Sequence, residues 1–385
     1  KPIEVDVKDT EVFPSGKAYI FHDFAALLPF SLLYEQDNYP ALPGFIYAWA
    51  DALERRDESL FKTLAGSPGG VFGGGSAGMQ IAVFCNDGDI QAQTLANGLD
   101  RAAYPVFGSV LGSAEENEHD RLQCFELGMP MRPSSDYAAV ETDIPALIIE
   151  GDMDPITPPP NAKAILPGFS NGTYIEFPYA GHGPTRSVQC AGHMLNRWYD
   201  DPTAEPDMSC PESMEEPDMW APMFVTGFVP RLGAIFFEDK KKLAGPGAWG
   251  GLSIVVSLIA FLMLSLAPLG RKMNSNAPAN VGKARFWAWL TATSSVAAVA
   301  VLGAAFAATA EASQLAILFG LVPWAKYSAW LGLFAGVFGI ITIVAAIRGK
   351  GRHQIPTGSM LGFILTGIAA LGLSSFMYFW DLAPF

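Results

Sequence analysis

The sequence has few basic residues before residue 246 and few acidic residues after it. Before residue 246 it has 16 Lys and Arg against 36 Asp and Glu, a net charge of −20, whereas the rest has a net charge of +6. Phosphate binding needs a basic face, so the acidic part is excluded as a nucleic-acid binder. Its acidity fits either a solvated surface or attraction of cationic groups such as the amino terminus of a peptide substrate.

Charged residues are missing from the interior of four apolar stretches near the C-terminus. Each is close to the roughly 20 helical residues that cross a bilayer core; they are 249–268, 286–308, 327–347 and 361–380. They predict an all-α domain of four transmembrane helices at 247–385, in a multi-pass protein of the inner (plasma) membrane with the lipid bilayer as a partner. No carboxylate or histidine lies inside them, so no intramembrane ion pathway is indicated.

The loops between these stretches differ in charge. Basic residues cluster at 271–285 and at 348–352, and basic loops stay cytoplasmic. We therefore predict that the acidic part and the C-terminus are extracytoplasmic (periplasmic), although Lys240–Lys242 contradict this. The run 315–322 is too short to span the membrane and predicts an interfacial turn. Small residues at helical spacing predict close helix packing, namely Gly332, Gly336 and Gly339.

The acidic part alternates predicted strands with predicted helices, which favours a parallel α/β sheet. Apolar periodicity predicts a helix over 41–64, and a Gly-rich segment at 65–78 predicts irregular structure. The remaining elements are strands at 80–85, 145–151 and 173–178 and helices at 89–104 and 187–199.

Polar residues follow two of these strands, where ligands bind in parallel α/β sheets. Gly151-Asp152-Met153-Asp154 follows one strand and Gly181-His182-Gly183 follows the next. An Asp followed by a His is the late half of a Ser–Asp–His order, in which the His takes a hydroxyl proton and the Asp holds its tautomer. Alternatively, Asp154 only caps a turn and His182 is a surface turn residue.

The four cysteines all lie in the acidic part and allow three disulfide pairings. No calcium-loop or zinc-ligand spacing is present, so no metal and no cofactor are expected.

The run from Tyr34 to Cys210 resembles the C-terminal portion of the tripeptidyl-aminopeptidase-like α/β-hydrolases, relatives of the proline iminopeptidases. The resemblance is carried by PALIIEGDMDPITPP, by YAGHG, by the helix with Cys190, and by Cys210, Cys124 and the strand ending at Cys85. It implies Asp154 and His182 as triad members and the disulfides Cys85–Cys124 and Cys190–Cys210. It also implies an exported serine peptidase that removes short pieces from peptide N-termini.

With this resemblance, the fold class is α/β: the C-terminal part of an α/β-hydrolase fold with a helical cap, followed by the four-helix membrane domain. The expected domains are a cap or entry segment at 1–64, the hydrolase core at 65–210, and a linker with a membrane-surface segment at 211–246, before the membrane domain at 247–385.

The nucleophilic serine is not evident. Ser76 lies in the string Gly74-Gly75-Ser76-Ala77-Gly78, but a nucleophile elbow needs a strand before it and a helix after it. We therefore expect the nucleophile on an N-terminal fragment, cleaved from the same precursor and still associated. Lys1 in place of a Met fits an upstream segment. The competing hypothesis is a non-catalytic, hydrolase-like structural subunit that associates with other membrane subunits.

Overall fold

The computed structural model describes residues 2–8, 13–21, 28–66, 78–79, 82–83, 85, 124–129, 136, 138–220, 222–274, 282–352 and 355–383. These residues form two compact units. The first takes its described residues from Lys1–Val5, Glu11–Leu42 and Ser67–Met219, and the second from Asp6–Thr10, Pro43–Gly66 and Trp220–Phe385.

Short strands and mostly short helices occur before Trp220. In chain order they are β1 (Ile3–Asp6), β2 (Lys17–Ile20), α1 (Leu42–Arg55), α2 (Glu58–Gly66), β3 (Ala146–Gly151), α3 (Pro159–Ile165), β4 (Gly172–Phe177), α4 (Pro184–Ser187), α5 (Gln189–Asp200) and α6 (Ser209–Glu212). Long helices dominate the rest. They and the short strands between them are β5 (Phe224–Val225), α7 (Phe228–Asp239), α8 (Ala244–Asn274), α9 (Gly282–Ala312), β6 (Gly320–Leu321), α10 (Lys326–Gly351) and α11 (Thr357–Phe379).

The first unit contains a β–α–β arrangement. Strands β3 and β4 pair in parallel, from Ala146 opposite Gly172 to Gly151 opposite Phe177, and α3 lies between them in the chain. Their inward side chains pack with α5 in a core of Ile175, Phe177, Ala180, Ala191 and Met194. This confirms the strands predicted at 145–151 and 173–178 and the helix at 187–199. The α/β character is thus present in this unit, whereas the described residues as a whole are mostly helical.

The prediction of a strand at 80–85 is wrong for those of its residues that the structure describes. Ala82, Val83 and Cys85 are helical. The reason is that a short apolar run can belong to a buried helix as well as to a buried strand, and periodicity over six residues does not separate the two. In the Gly-rich segment 65–78 only the ends are described, and they are helical; residues 67–77 and the helix predicted at 89–104 lie outside the described residues.

Both disulfides that the family resemblance implies are present. Cys85 is bonded to Cys124 and Cys190 to Cys210, with Cα–Cα distances of 5.6 and 5.9 Å. The second bond joins α5 to α6, which lies in the polar stretch 202–219. It attaches this polar stretch to the core, where Cys210 packs beside Met194 and its neighbours.

Removing the Cys190–Cys210 bond with the pair Cys190→Ser and Cys210→Ser should destabilise the first unit by about 3 kcal/mol. The bond closes a loop of 20 residues, and its loss restores conformational entropy to the unfolded chain. Protease sensitivity of the full chain over a urea series measures the change. An unfolding midpoint equal to that of the wild type would contradict the expectation.

Four helices of the second unit are long and apolar enough to cross a membrane. They are α8 (which continues from α7 through a short 3₁₀ turn), α9, α10 and α11, and each contains one of the stretches predicted from the sequence. Helix α10 packs between α9 and α11. A buried hydrogen bond of 2.9 Å joins Thr291 to Thr342 across α9 and α10.

Gly332, Gly336 and Gly339 of α10 face α11. A Cβ atom on Gly336 would lie 2.7 Å from Ser374 Oγ, and one on Gly339 would lie 2.9 Å from the carbonyl oxygen of Gly367. Contacts that short are sterically forbidden, so a side chain at either glycine would push the helices apart. The prediction of close packing is confirmed.

Helices α1 and α2 also belong to the second unit, apart from Leu42. They confirm the helical periodicity of 41–64, with a break at Arg56, which has a φ of 53°. The rings of Phe45 and Trp49 contact Phe319, in the segment between α9 and α10, at centroid distances of 4.2 and 6.0 Å. The predicted cap segment 1–64 is therefore distributed over both units.

Two short segments complete the second unit. The interfacial turn predicted at 315–322 contains a 3₁₀ turn and β6, and β6 pairs antiparallel with β5. Helix α7 packs on α2, where the Thr63 hydroxyl donates a hydrogen bond of 2.7 Å to the carbonyl oxygen of Pro230. The membrane-surface segment expected within 211–246 stays a prediction.

Candidate active site

Asp154 lies in the turn that follows β3. Its Oδ1 accepts hydrogen bonds from the backbone N–H groups of Ile156 at 2.7 Å and Thr157 at 2.9 Å, and its Oδ2 accepts one from the Thr157 hydroxyl at 3.0 Å. Only 1% of the side chain is exposed. The turn therefore holds the carboxylate in one orientation.

His182 lies in the loop that follows β4. Its backbone N–H donates a hydrogen bond of 2.7 Å to the carbonyl oxygen of Tyr34. A Cβ atom on Gly181 would lie 2.5 Å from that same oxygen, and Gly183 has a φ of 67°, a conformation that glycine adopts without steric cost. Gly181 is thus required by the close approach of the Tyr34 carbonyl oxygen, and Gly183 by its positive φ.

The two side chains meet because β3 and β4 are adjacent and parallel. His182 Nδ1 lies 2.9 Å from Asp154 Oδ2 and 3.2 Å from Oδ1. A carboxylate acceptor at Nδ1 favours the tautomer that carries its proton there, which leaves Nε2 as an acceptor. The Tyr34 ring packs edge-on against the imidazole, with centroids 5.4 Å apart.

The surroundings keep Asp154 ionised. Burial by itself raises the pKa of its carboxyl, but the hydrogen bonds from Thr157, Ile156 and His182 outweigh burial and lower the pKa below its ordinary value. Tyr39 behaves in the opposite way, because burial and the nearby Asp152 and Asp154 carboxylates raise the pKa of its phenol to about 12. Tyr39 therefore stays protonated, and its hydroxyl donates a hydrogen bond of 2.9 Å to the carbonyl oxygen of Leu33.

Asp152, in the same turn as Asp154, has a different role in the structure. Its side chain accepts hydrogen bonds from the backbone of Tyr179 and Met153, and burial raises the pKa of its carboxyl. The structure thus brings together Asp154 and His182 and leaves Asp152 beside them. Ser76 lies outside the described residues, and among the described ones no group of His, Cys, Asp and Glu could hold a metal ion.

Sequence reasoning missed three supporting residues, Tyr34, Tyr39 and Thr157. Thr157 could have been found, because a hydroxyl three residues after a turn Asp often bonds to it. The two tyrosines lie in 3₁₀ turns more than 100 residues before the site, and nothing local marks them. This tyrosine-containing segment is held to α4 by a hydrogen bond of 2.7 Å from the Ser187 hydroxyl to Gln36.

Comparison with known protein families gave a match to part of the chain. A family model described as TAP-like protein (Abhydrolase_4) matches residues 110–210, a range that includes β3, β4, Asp154 and His182 and leaves out the long apolar helices. The match supports an α/β-hydrolase family for this part of the chain. Neither the curated proteins nor the solved structures gave a match. The chain thus combines a hydrolase-like unit with four helices fit to cross a membrane.

Proposed function

We propose that this chain is the membrane-anchored part of an extracytoplasmic serine hydrolase, an aminopeptidase that releases short peptides or single residues from peptide N-termini. The proposal is carried by one observation. A buried carboxylate holds an imidazole at 2.9 Å, at the carboxyl ends of two adjacent parallel strands. The match to the TAP-like family supports the peptidase assignment.

The pair has the geometry for general base and general acid catalysis. His182 Nε2 takes the proton of the serine hydroxyl as the serine oxygen attacks the scissile carbonyl carbon. It then gives that proton to the leaving amine when the C–N bond breaks. Asp154 stays ionised and stabilises the imidazolium that forms between these steps. Water then releases the acyl group by the same route.

The serine in this proposal belongs to an N-terminal fragment. Among the described residues β3 pairs along one edge with β4, and its other edge has no strand partner. The apolar residues 146–149 of β3 are only half-buried. A strand edge is a ready site for a further strand. In this proposal, further strands of an α/β-hydrolase sheet bring the nucleophile elbow to the same edge of the sheet as His182.

A fluorophosphonate probe on the protein purified from its native membrane tests this proposal. The probe should label a co-purifying segment other than this chain, and the labelled peptide should contain a serine in a strand–turn–helix elbow. Labelling of Ser76 would show that the nucleophile lies on this chain after all. If the probe labels no segment and no serine elbow lies upstream, the chain is a structural subunit rather than part of an enzyme.

The structural-subunit alternative has one observation in its favour. Helices α1 and α2, which the family resemblance assigns to the cap, belong to the second unit, where α1 contacts the segment between α9 and α10 and α2 packs on α7. A hydrolase-like unit joined to such a platform could act in assembly with other membrane subunits. If the His182→Ala protein stays in the assembly and its activity is unchanged, this structural role is identified.

The orientation of the chain gives a further prediction. The disulfides favour an oxidising compartment for the first unit, and the basic loops favour the cytoplasm. A cysteine introduced at Ser275 should react with a membrane-impermeant maleimide only after the membrane is opened. A cysteine at the exposed Gln314 should react from outside in intact cells. All four native cysteines are paired, so they add no background. Labelling at Ser275 from outside would overturn the four-helix topology.

A further inference from the structure

A cleft of about 350 Å³ lies in the second unit. Its walls come from α1, from the first turns of α2 and α7, from Leu318 and Phe319 between α9 and α10, and from the end of α11. The α9–α10 connection and the end of α11 lie at the same membrane face if each long helix crosses once. In that arrangement the cleft lies at the level where lipid head groups meet water.

One cation in the cleft is fixed by its surroundings. Arg231, in the first turn of α7, donates a hydrogen bond of 2.6 Å from Nη1 to the carbonyl oxygen of Phe379. Its guanidinium also lies over the rings of Phe379 and Trp380, 5.2 and 5.5 Å from their centroids. A guanidinium has five N–H donors, so these contacts orient it and leave donors for a ligand.

A second guanidinium, that of Arg55 at the end of α1, lines the same cleft. It pairs with Asp51 one turn earlier at 2.5 Å, and about 60% of its side chain is exposed. The solvent-exposed ion pair contributes little to stability. Arg55 can therefore turn toward a stronger anion without disturbing the fold.

The two carboxylates in the cleft are already engaged by backbone N–H groups. Asp57 Oδ1 accepts from Ser59 at 3.0 Å and from Leu60 at 3.2 Å, at the start of α2. Asp381 Oδ2 accepts from Gly227 at 2.6 Å, next to the start of α7. Their charge is directed at helix N-termini, where it is stabilising. The guanidiniums are thus the groups that remain for a ligand.

Apolar side chains complete the cleft, with Leu60, Leu318 and Phe319 beside the polar groups. We propose that the cleft binds the phosphate head group of an anionic phospholipid, with Arg231 and Arg55 as the phosphate ligands and the apolar wall along the glycerol and the first methylenes. Guanidinium and phosphate form short, charge-assisted hydrogen bonds in a geometry that an ammonium group cannot reproduce.

Native mass spectrometry of the full chain tests this site. The protein is released from nanodiscs of phosphatidylcholine with a minority of phosphatidylglycerol. The wild type should retain phosphatidylglycerol, and Arg55→Gln should lower the retained fraction about tenfold, as expected for the loss of one charge-assisted bond. Lys62→Gln is the matched control, since it removes a cation on α2 that does not line the cleft, and it should change nothing. Equal retention by wild type and Arg55→Gln would overturn the proposal.

Two further arms complete the test. Arg231→Lys keeps the charge but loses the planar guanidinium that stacks on the two rings, so it should also lower the retained fraction of phosphatidylglycerol. Circular dichroism should show that this variant is folded. In lipid-free detergent, inorganic phosphate should leave the melting temperature unchanged. If phosphate alone stabilises the wild type and not Arg55→Gln, and no lipid is retained, the site belongs to a soluble phosphate ligand and the lipid assignment is wrong.

Discussion

Replacing His182 with Ala should lower kcat of the complete hydrolase on a tripeptide fluorogenic substrate by on the order of 10⁴-fold or more. In the proposed mechanism His182 accepts the serine proton, and without a base the hydroxyl is a weak nucleophile at neutral pH. KM should change little, because the imidazole acts in the transition state rather than in substrate binding.

The folded state should tolerate this change. About 29% of the His182 side chain is exposed, and the loop is held by its backbone bond to Tyr34, which Ala retains. His193→Ala is the matched control, since His193 is exposed on α5. A His182→Ala protein that keeps its melting temperature and its activity would exclude His182 as the catalytic base, and activity lost equally in His193→Ala would point to a general structural effect.

Replacing Asp154 with Asn should cost a factor of about 10⁴ in kcat. The Asn amide can donate to His182 Nδ1, which favours the tautomer with its proton on Nε2, where the serine proton must go. The amide also lacks the charge that stabilises the imidazolium. In addition, the backbone N–H groups of Ile156 and Thr157 keep an oxygen facing them, so the NH₂ group is directed toward the imidazole.

Asp152→Asn is the control for this substitution, because it makes the same chemical change two residues away. Its carboxylate accepts backbone bonds and makes none of the contacts that hold the imidazole, so its kcat should stay within about a fewfold of the wild type. Ser76→Ala should leave activity intact, since the nucleophile is expected on the other fragment. Equal losses in Asp152→Asn and Asp154→Asn would contradict the assigned role of Asp154.

Substitutions in the membrane helices should affect a different property from substitutions at Asp154 and His182. Asp154 and His182 lie wholly within the first unit, and the contacts of Gly336 and Gly339 on α10 lie wholly within the second. A variant such as Gly339→Leu thus tests helix packing, whereas His182→Ala tests chemistry. Keeping these readouts apart matters because loss of membrane insertion would also abolish activity in cells.

Several features of the protein could be predicted from the sequence because the signal is local. Long uncharged apolar stretches must be helices if they enter a bilayer, where every backbone N–H and C=O group needs an internal partner. The strands at 145–151 and 173–178 could be predicted because each is a short apolar run bounded by turn residues. Gly181 and Gly183 could be recognised on either side of His182, since glycine allows a close backbone approach and adopts a positive φ without strain.

Other features were decided only by tertiary structure. The six residues 80–85 have the composition of a strand, yet those that are described are helical. Helices α1 and α2 are amphipathic in the sequence, but only packing reveals that the apolar face of α1 belongs with the segment between α9 and α10 and that α2 packs on α7. Amphipathicity states that a face is buried and does not state against what.

The candidate site also has features that the sequence predicts and features that only the tertiary structure decides. The sequence by itself determined that Asp154 and His182 follow strands and that four helices suit a membrane. Tertiary structure decided that the two side chains meet at 2.9 Å, that Tyr34 holds the histidine loop, and that Arg55 and Arg231 share a cleft. The physical reason is that local sequence fixes backbone conformation over a few residues. Contacts between residues that lie far beyond one element of the chain depend instead on how whole elements pack, to which every residue in the interface contributes.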